Sequence, residues 1–193
     1  MLQSLLERTA RCLDKHGLPY MVIGGQAAFV HGKSRASRDI GFALGVGPEH
    51  IDVLCAVMDE VGLTSLAESP NQYSRENYVL PCLHRESSVR VGFIFSLTGY
   101  EARAITHAIP RKVGDSMVLF AAPEDLIIEK VFAGGSQDLA DAKAILSRHE
   151  DLKIDYVRET LMELERELGL VLMDRFETLT GDSPNTDTSS KSL

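Results

Sequence analysis

Tryptophan is absent from the 193-residue chain, and aromatic residues make up only 6% of it. With a mean hydropathy of −0.04 and 25% charged residues, this composition fits an ordinary soluble α/β or α+β protein and signals nothing specialised. Cysteine is scarce. Cys12, Cys55 and Cys82 are odd in number, far apart and without CxxC spacing, so neither a disulfide framework nor a zinc site is suggested and reduced core thiols are expected. Basic residues are outnumbered, 20 Lys and Arg against 28 Asp and Glu, for a net charge of −8. That balance excludes nucleic-acid binding by bulk electrostatics and leaves room only for a local basic patch. Long apolar runs are missing too. The N-terminal stretch MLQSLLERTARCLDKHG is charged throughout, and no run of about 18 apolar residues occurs, so neither a signal peptide nor a membrane span is expected and a cytoplasmic location follows.

What is present is enough apolar sequence, 44% of residues, to fill the core of one domain or of one domain with an appendage. Leu2, Leu5, Leu6, Ala10 and Leu13 recur at helical spacing before the stop at Gly17. YMVIGG (20–25) reads as a buried strand ending in a glycine pair, QAAFVHG (26–32) as a short helix, and residues 39–44 as a second strand. A helix is expected from Pro48 to Gly62. Residues 65–76 are polar and poorly patterned, whereas NYVLPCLH and SVRVGFIFS read as strands, the first placed near an edge or bulge by Pro81. A helix over 99–108 and a hairpin around Gly114-Asp115 complete a mixed α/β sheet layer. After Ala122 four helical patterns follow. The expected organisation is a core over 1–122, a helical lobe over 123–180 and a disordered tail over 181–193, the last because it offers almost no large apolar residue.

Chemistry is suggested first by Gly24-Gly25. Glycines allow close backbone approach and the N–H groups of a following helix suit phosphate, although a tight strand-to-helix turn needs the same residues. Next, Arg35-x-Ser37-x-Asp39 leads a basic, hydroxyl-bearing loop into a carboxylate at a strand entrance, with Lys33 and Arg38 beside it. In a strand, positions 39 and 41 share a face while Ile40, Phe42 and Leu44 point to the core. The pattern leaves a place for a second carboxylate that Gly41 fills with hydrogen. In VRVGFIFS, Val91, Phe93 and Phe95 alternate as a core face and leave Arg90, Gly92 and Ile94 on the other. An interior strand glycine costs about 0.5–1 kcal/mol, so two of them on non-core faces call for a reason. His31 and His107 lack partners at ligand spacing and are expected at helix ends.

YMVIGGQAAFVHG, RASRDIG, VRVGFIFSLTGYEARA, APEDLIIEKVFA and QDLADAKAIL, in that order over about residues 18–160, resemble the nucleotidyltransferase-like proteins related to the AbiEii toxins and the minimal nucleotidyltransferases. The resemblance implies a nucleotidyltransferase-type mixed sheet with flanking helices and a C-terminal helical lobe. It implies a triad of metal-binding aspartates whose first member is Asp39 and whose second and third positions hold Gly41 and Gly92. It also implies Mg²⁺ and NTP as cofactors, an RNA or protein acceptor, and an antitoxin as partner. Gly24, Gly25, Arg35 and Ser37 fall in its nucleotide-binding stretch. Lys130 falls on a triphosphate contact, with Asp138 and Asp141 as an acidic pair on the next helix. Structural alternatives stand beside these roles: a lysine whose stem packs at the core edge, a helix-start charge at Asp138 and a solvated face at Asp141.

With one metal-ligand carboxylate of three, the expectation is strongly impaired transfer and weakened Mg²⁺-NTP binding. The alternative is a non-catalytic member that binds nucleotide or a partner protein. A purely structural interaction module built on the acidic amphipathic stretch DYVRETLMELERELG ranks last, since such a face more often packs within its own domain.

Overall fold

The computed structural model describes residues 1–32 and 37–181. Lys33 and Arg35 of the basic loop, and the tail beyond Gly181, lie outside them.

Among the described residues a seven-stranded mixed sheet is flanked by helices, a mixed α/β architecture. Helix α1 (Leu2–Lys15) leads into β1 (Tyr20–Ile23), a seven-residue α2 (Gly24–Val30) and β2 (Ile40–Leu44). After a 3₁₀ turn at Pro48–His50 come α3 (Ile51–Val61), β3 (Leu63–Ser65), α4 (Pro70–Asn77), β4 (Val79–His84), β5 (Arg90–Ile94) and α5 (Tyr100–Ile105). The hairpin β6 (Ile109–Val113) and β7 (Ser116–Phe120) closes the sheet, and α6 (Pro123–Ala133), α7 (Ser136–Leu146), α8 (Ile154–Leu168) and α9 (Met173–Thr180) follow.

The strand order is β3-β4-β5-β2-β1-β7-β6. β1 runs antiparallel to β2 and parallel to β7, and β2 runs parallel to β5. The central strands are buried on both faces, as the apolar runs YMVI and IGFAL require. On one face Phe42 stacks on Phe93 and meets Tyr20 edge-on, both at 5.7 Å between ring centroids. Cys82 Sγ lies 3.8 Å from Met58 Sδ of α3 on that side. On the opposite face Met21, Ile23, Ala43 and Ile94 meet Ile128 and Phe132 of α6 and Leu164 of α8 around a small apolar cavity of ≈100 Å³. One connected set of buried apolar residues runs from α1 through the sheet into α9.

The polar stretch over 65–76 contains the end of β3 and the helix α4. Only Ser74 of α4 is buried, so there is no apolar stripe to read. The helix begins with Pro70 at its first turn, and carries Gln72–Glu76 and Arg75–Asn71 side-chain hydrogen bonds at i,i+4 spacing. Pro81 sits on β4, next to the edge strand β3 and so near the sheet edge, as its lack of a donor led one to expect. Leu66 N–H donates to the Pro81 carbonyl at 2.9 Å, so the ring nitrogen faces the last rung of the short β3 ladder, where the missing donor is least costly. His31, at the end of α2, donates through Nε2 to Ala121 O at 2.8 Å, and burial lowers its pKa.

Candidate functional site

Across the middle of the sheet, Ile23 pairs with Gly41, Gly41 with Gly92, and Gly92 with Pro81. These four positions form a single row on one face. Asp39 enters β2 two residues before Gly41. Asp39, Gly41 and Gly92 thus line one open cavity of ≈440 Å³, together with Gly24, Gly25 and Ser37. The two glycines differ in the room around them. Among the described residues a Cβ at Gly92 would meet nothing within 4 Å, whereas one at Gly41 would come 3.2 Å from Ile23 Cγ1. Neither has a positive φ, so neither needs to be glycine for its backbone conformation.

The glycine pair before α2 has structural reasons of its own. Gly24 adopts a left-handed φ of 66°. An ideal Cβ on Gly25 would lie 2.3 Å from Ser37 Cβ, so the loop can press on the helix start only because this residue is glycine. Gln26 Nε2 donates to Ser37 O at 2.5 Å, and the Asp39 backbone N–H donates to Ser37 Oγ at 3.1 Å. Ser37 therefore fixes the entry into β2 and the placement of Asp39, which is itself exposed. Arg35 lies outside the described residues.

On α6, Lys130 is 5% exposed. Its Nζ donates to Asp138 Oδ1 at 2.7 Å and lies 3.7 Å from Glu129 Oε2. Burial of the amine pulls its pKa down, but Glu129, Asp138 and Asp141 outweigh this and hold it above its ordinary value. Lys130 is thus charged and turned toward α7, and it does not line the cavity. Asp141 is buried and accepts from Gln137 Nε2 at 3.0 Å.

Two cavity residues were not assigned from the sequence. Glu129 reaches the wall formed by Gly24 and Gly41, and its Oε2 is buried without a hydrogen-bond partner among the described residues. Burial pushes its carboxyl up, with Asp138 adding to the rise and Lys130 and the Gly24 backbone opposing it. Its position next to Lys130 in an apolar helix hid it. Arg90 is exposed and lines the cavity from β5. The alternation of VRVGFIFS already put it on the face of Gly92, and that was the available signal.

The donor set can be judged for Mg²⁺. A hard cation takes oxygen ligands and is usually held by one or two carboxylates with phosphates and water completing the shell. Asp39 supplies one carboxylate, and the buried Glu129 carboxylate, ion-paired with Lys130, is a second at the same cavity. Gly41 and Gly92 supply none. The residues present fit a metal that arrives on a triphosphate, not one that the protein holds alone.

No protein-family model matches the sequence, and no curated protein is significantly similar to it. Solved structures are similar in fold. The antibiotic-resistance factor ANT(2'')-Ia superposes with a TM-score of 0.59 at 13% identity, covering 86% of this chain and 94% of that one. An antigenic nucleotidyltransferase-like protein from Paracoccidioides brasiliensis gives 0.54 at 14%, covering 93% and 92%. The lincosamide antibiotic adenylyltransferase LnuA, in its lincomycin-bound form, gives 0.53 at 13%, covering 76% and 97%. At these identities the likeness establishes a nucleotidyltransferase-type fold, and function has to be argued from the site.

Proposed function

We propose that this chain binds a Mg²⁺-nucleoside triphosphate in the cavity framed by β1, β2, β5 and α6, and transfers its nucleotidyl group at a severely reduced rate. One observation carries this reading: Asp39, Gly41 and Gly92 line the same cavity, and the two glycines are direct cross-strand partners. Bound there, Mg²⁺ would neutralise triphosphate charge and stabilise the leaving pyrophosphate. Asp39 would ligate it, with Glu129 behind. Arg90 would offer a cation to the phosphates, and Gly24-Gly25 their backbone. At Gly92 there is no group to take a proton from an acceptor hydroxyl, and at Gly41 no second ligand beside Asp39, so both metal positioning and nucleophile activation are weakened.

The fold neighbours support nucleotide chemistry as the class. One of them is a complex of ANT(2'')-Ia with adenylyl-2''-tobramycin, and LnuA is an adenylyltransferase by its description. The AbiEii-like motifs point instead to an RNA end or a protein hydroxyl as acceptor, with an antitoxin as partner and a cytoplasmic setting. Loss of the carboxylates favours, as second reading, a member that retains nucleotide binding alone.

The test is incubation with α-labelled NTPs, Mg²⁺ and a panel of total tRNA, protein, tobramycin and lincomycin. Little label should be transferred by the chain as it stands, and more by Gly41→Asp/Gly92→Asp. Equal transfer by the two would refute the reading.

A further inference from the structure

On the sheet face opposite the cavity, α1 and α3 bring together three side chains of metal-ligating type. Cys12 and His16 are one helical turn apart at the end of α1 and so share a face. Glu60 comes from the last turn of α3. Cys12 Sγ lies 3.5 Å from Glu60 Oε2, and His16 Nε2 lies 2.6 Å from Glu60 Oε1. One ligand atom from each lies within 4.8 Å of the others.

We propose that Cys12, His16 and Glu60 form a binding site for a borderline-soft divalent cation of the Zn²⁺ type, independent of the nucleotide cavity. A tetrahedral zinc site with Zn–S of about 2.3 Å and Zn–N and Zn–O of about 2.0–2.2 Å has ligand atoms roughly 3.3–3.7 Å apart. The sulfur–oxygen pair already has that spacing. His16 Nε2 faces the other oxygen, Oε1, at 2.6 Å, so the imidazole and carboxylate must turn to share one oxygen with the sulfur, within reach of a half-exposed glutamate (42%) and a histidine that is 23% exposed. Mixed S, N and O donors select zinc-like ions over Mg²⁺. Binding replaces the Cys12 S–H bond with a metal–thiolate bond and releases that proton to solvent.

The competitor is visible. Lys15 Nζ donates to Glu60 Oε2 at 2.7 Å, and its side chain is 66% exposed, so the ammonium can leave for water when a metal takes the carboxylate. Three protein ligands leave a fourth position, which opens onto a cavity of ≈410 Å³ lined by Arg8, Arg11 and Lys15. Thiolate and carboxylate neutralise the divalent charge, and the neighbouring cations then favour an anionic fourth ligand. Such a site is exchangeable, unlike a closed structural zinc.

Cobalt(II) is the probe, titrated into the reduced full-length chain. The expected result is one equivalent bound with a thiolate-to-cobalt absorption band, displaced by Zn²⁺, abolished in Cys12→Ala and bound at least about 10-fold more weakly in His16→Ala and Glu60→Gln. His16 and Glu60 are partly exposed, so those variants report even if the buried Cys12 replacement folds poorly. The band should survive Asp39→Asn unchanged. Absence of a thiolate band, or a band indifferent to His16→Ala and Glu60→Gln, would overturn the site and assign any binding to a lone thiol such as Cys55.

Discussion

Gly41 and Gly92 face each other directly across the parallel β2–β5 pair, in a row completed by Ile23 and Pro81. Two strand-interior glycines without positive φ, side by side on a cavity wall, gain nothing for the backbone. What they remove is side chain, and the space beyond Gly92 is large enough to receive one.

That difference in space predicts a difference in stability. Gly92→Ala should stabilise the protein by about 0.5–1 kcal/mol, through the lost entropy of the unfolded chain and an unobstructed Cβ. Gly41→Ala should gain less, because Ile23 must give way by a few tenths of an ångström. Urea denaturation of the two variants measures it.

The cations of the site should separate by role. Arg90→Ala should weaken NTP binding several-fold with little change in stability, because Arg90 is exposed on the cavity wall. Lys130→Ala should lower stability by about 1–3 kcal/mol, since it strips Asp138 and Glu129 of a buried partner, and should affect nucleotide affinity less than Arg90→Ala. Calorimetry and thermal melts of both variants check this, and a larger binding loss from Lys130→Ala would restore it as a phosphate contact.

Asp125 predicts a pH dependence. The residue is 1% exposed; its Oδ1 accepts from Tyr100 at 3.0 Å and Tyr156 at 2.6 Å, while Oδ2 has no hydrogen-bond partner among the described residues. Burial holds its carboxyl above the usual value of 3.8, against the pull of both phenols and His107. Its folded pKa is therefore raised, so the folded state keeps a proton that the unfolded state gives up. Stability from this group declines as pH rises from about 3.8 through the folded value. Asp125→Asn should lose less stability than the unmodified chain as pH rises above about 4, measured as urea midpoints across that rise.

Much of this was legible in residue order because strands and helices carry their periods locally. IGFAL and VRVGFIFS each announce a core face, and Gly41 and Gly92 could be placed on the other. Their pairing could not be read, because β2 and β5 are brought together by register across intervening elements. Glu129 escaped notice for a similar reason: which flank of an apolar helix meets the cavity depends on how α6 lies against β1. Helix α4 was hidden because an exposed helix has no stripe. Cys12 and His16 have their spacing on α1 in plain view, but Glu60, the group that joins them, arrives through the packing of α3.

The central claim is that glycine at positions 41 and 92 leaves the proposed metal site without two carboxylate ligands beside Asp39. It is tested most directly by calorimetric titration of the four NTPs with and without Mg²⁺, in the chain as it stands and in Gly41→Asp/Gly92→Asp. The account predicts that Mg²⁺ tightens NTP binding only modestly in the first and at least about 10-fold more in the second. An equal Mg²⁺ effect in both proteins would contradict it.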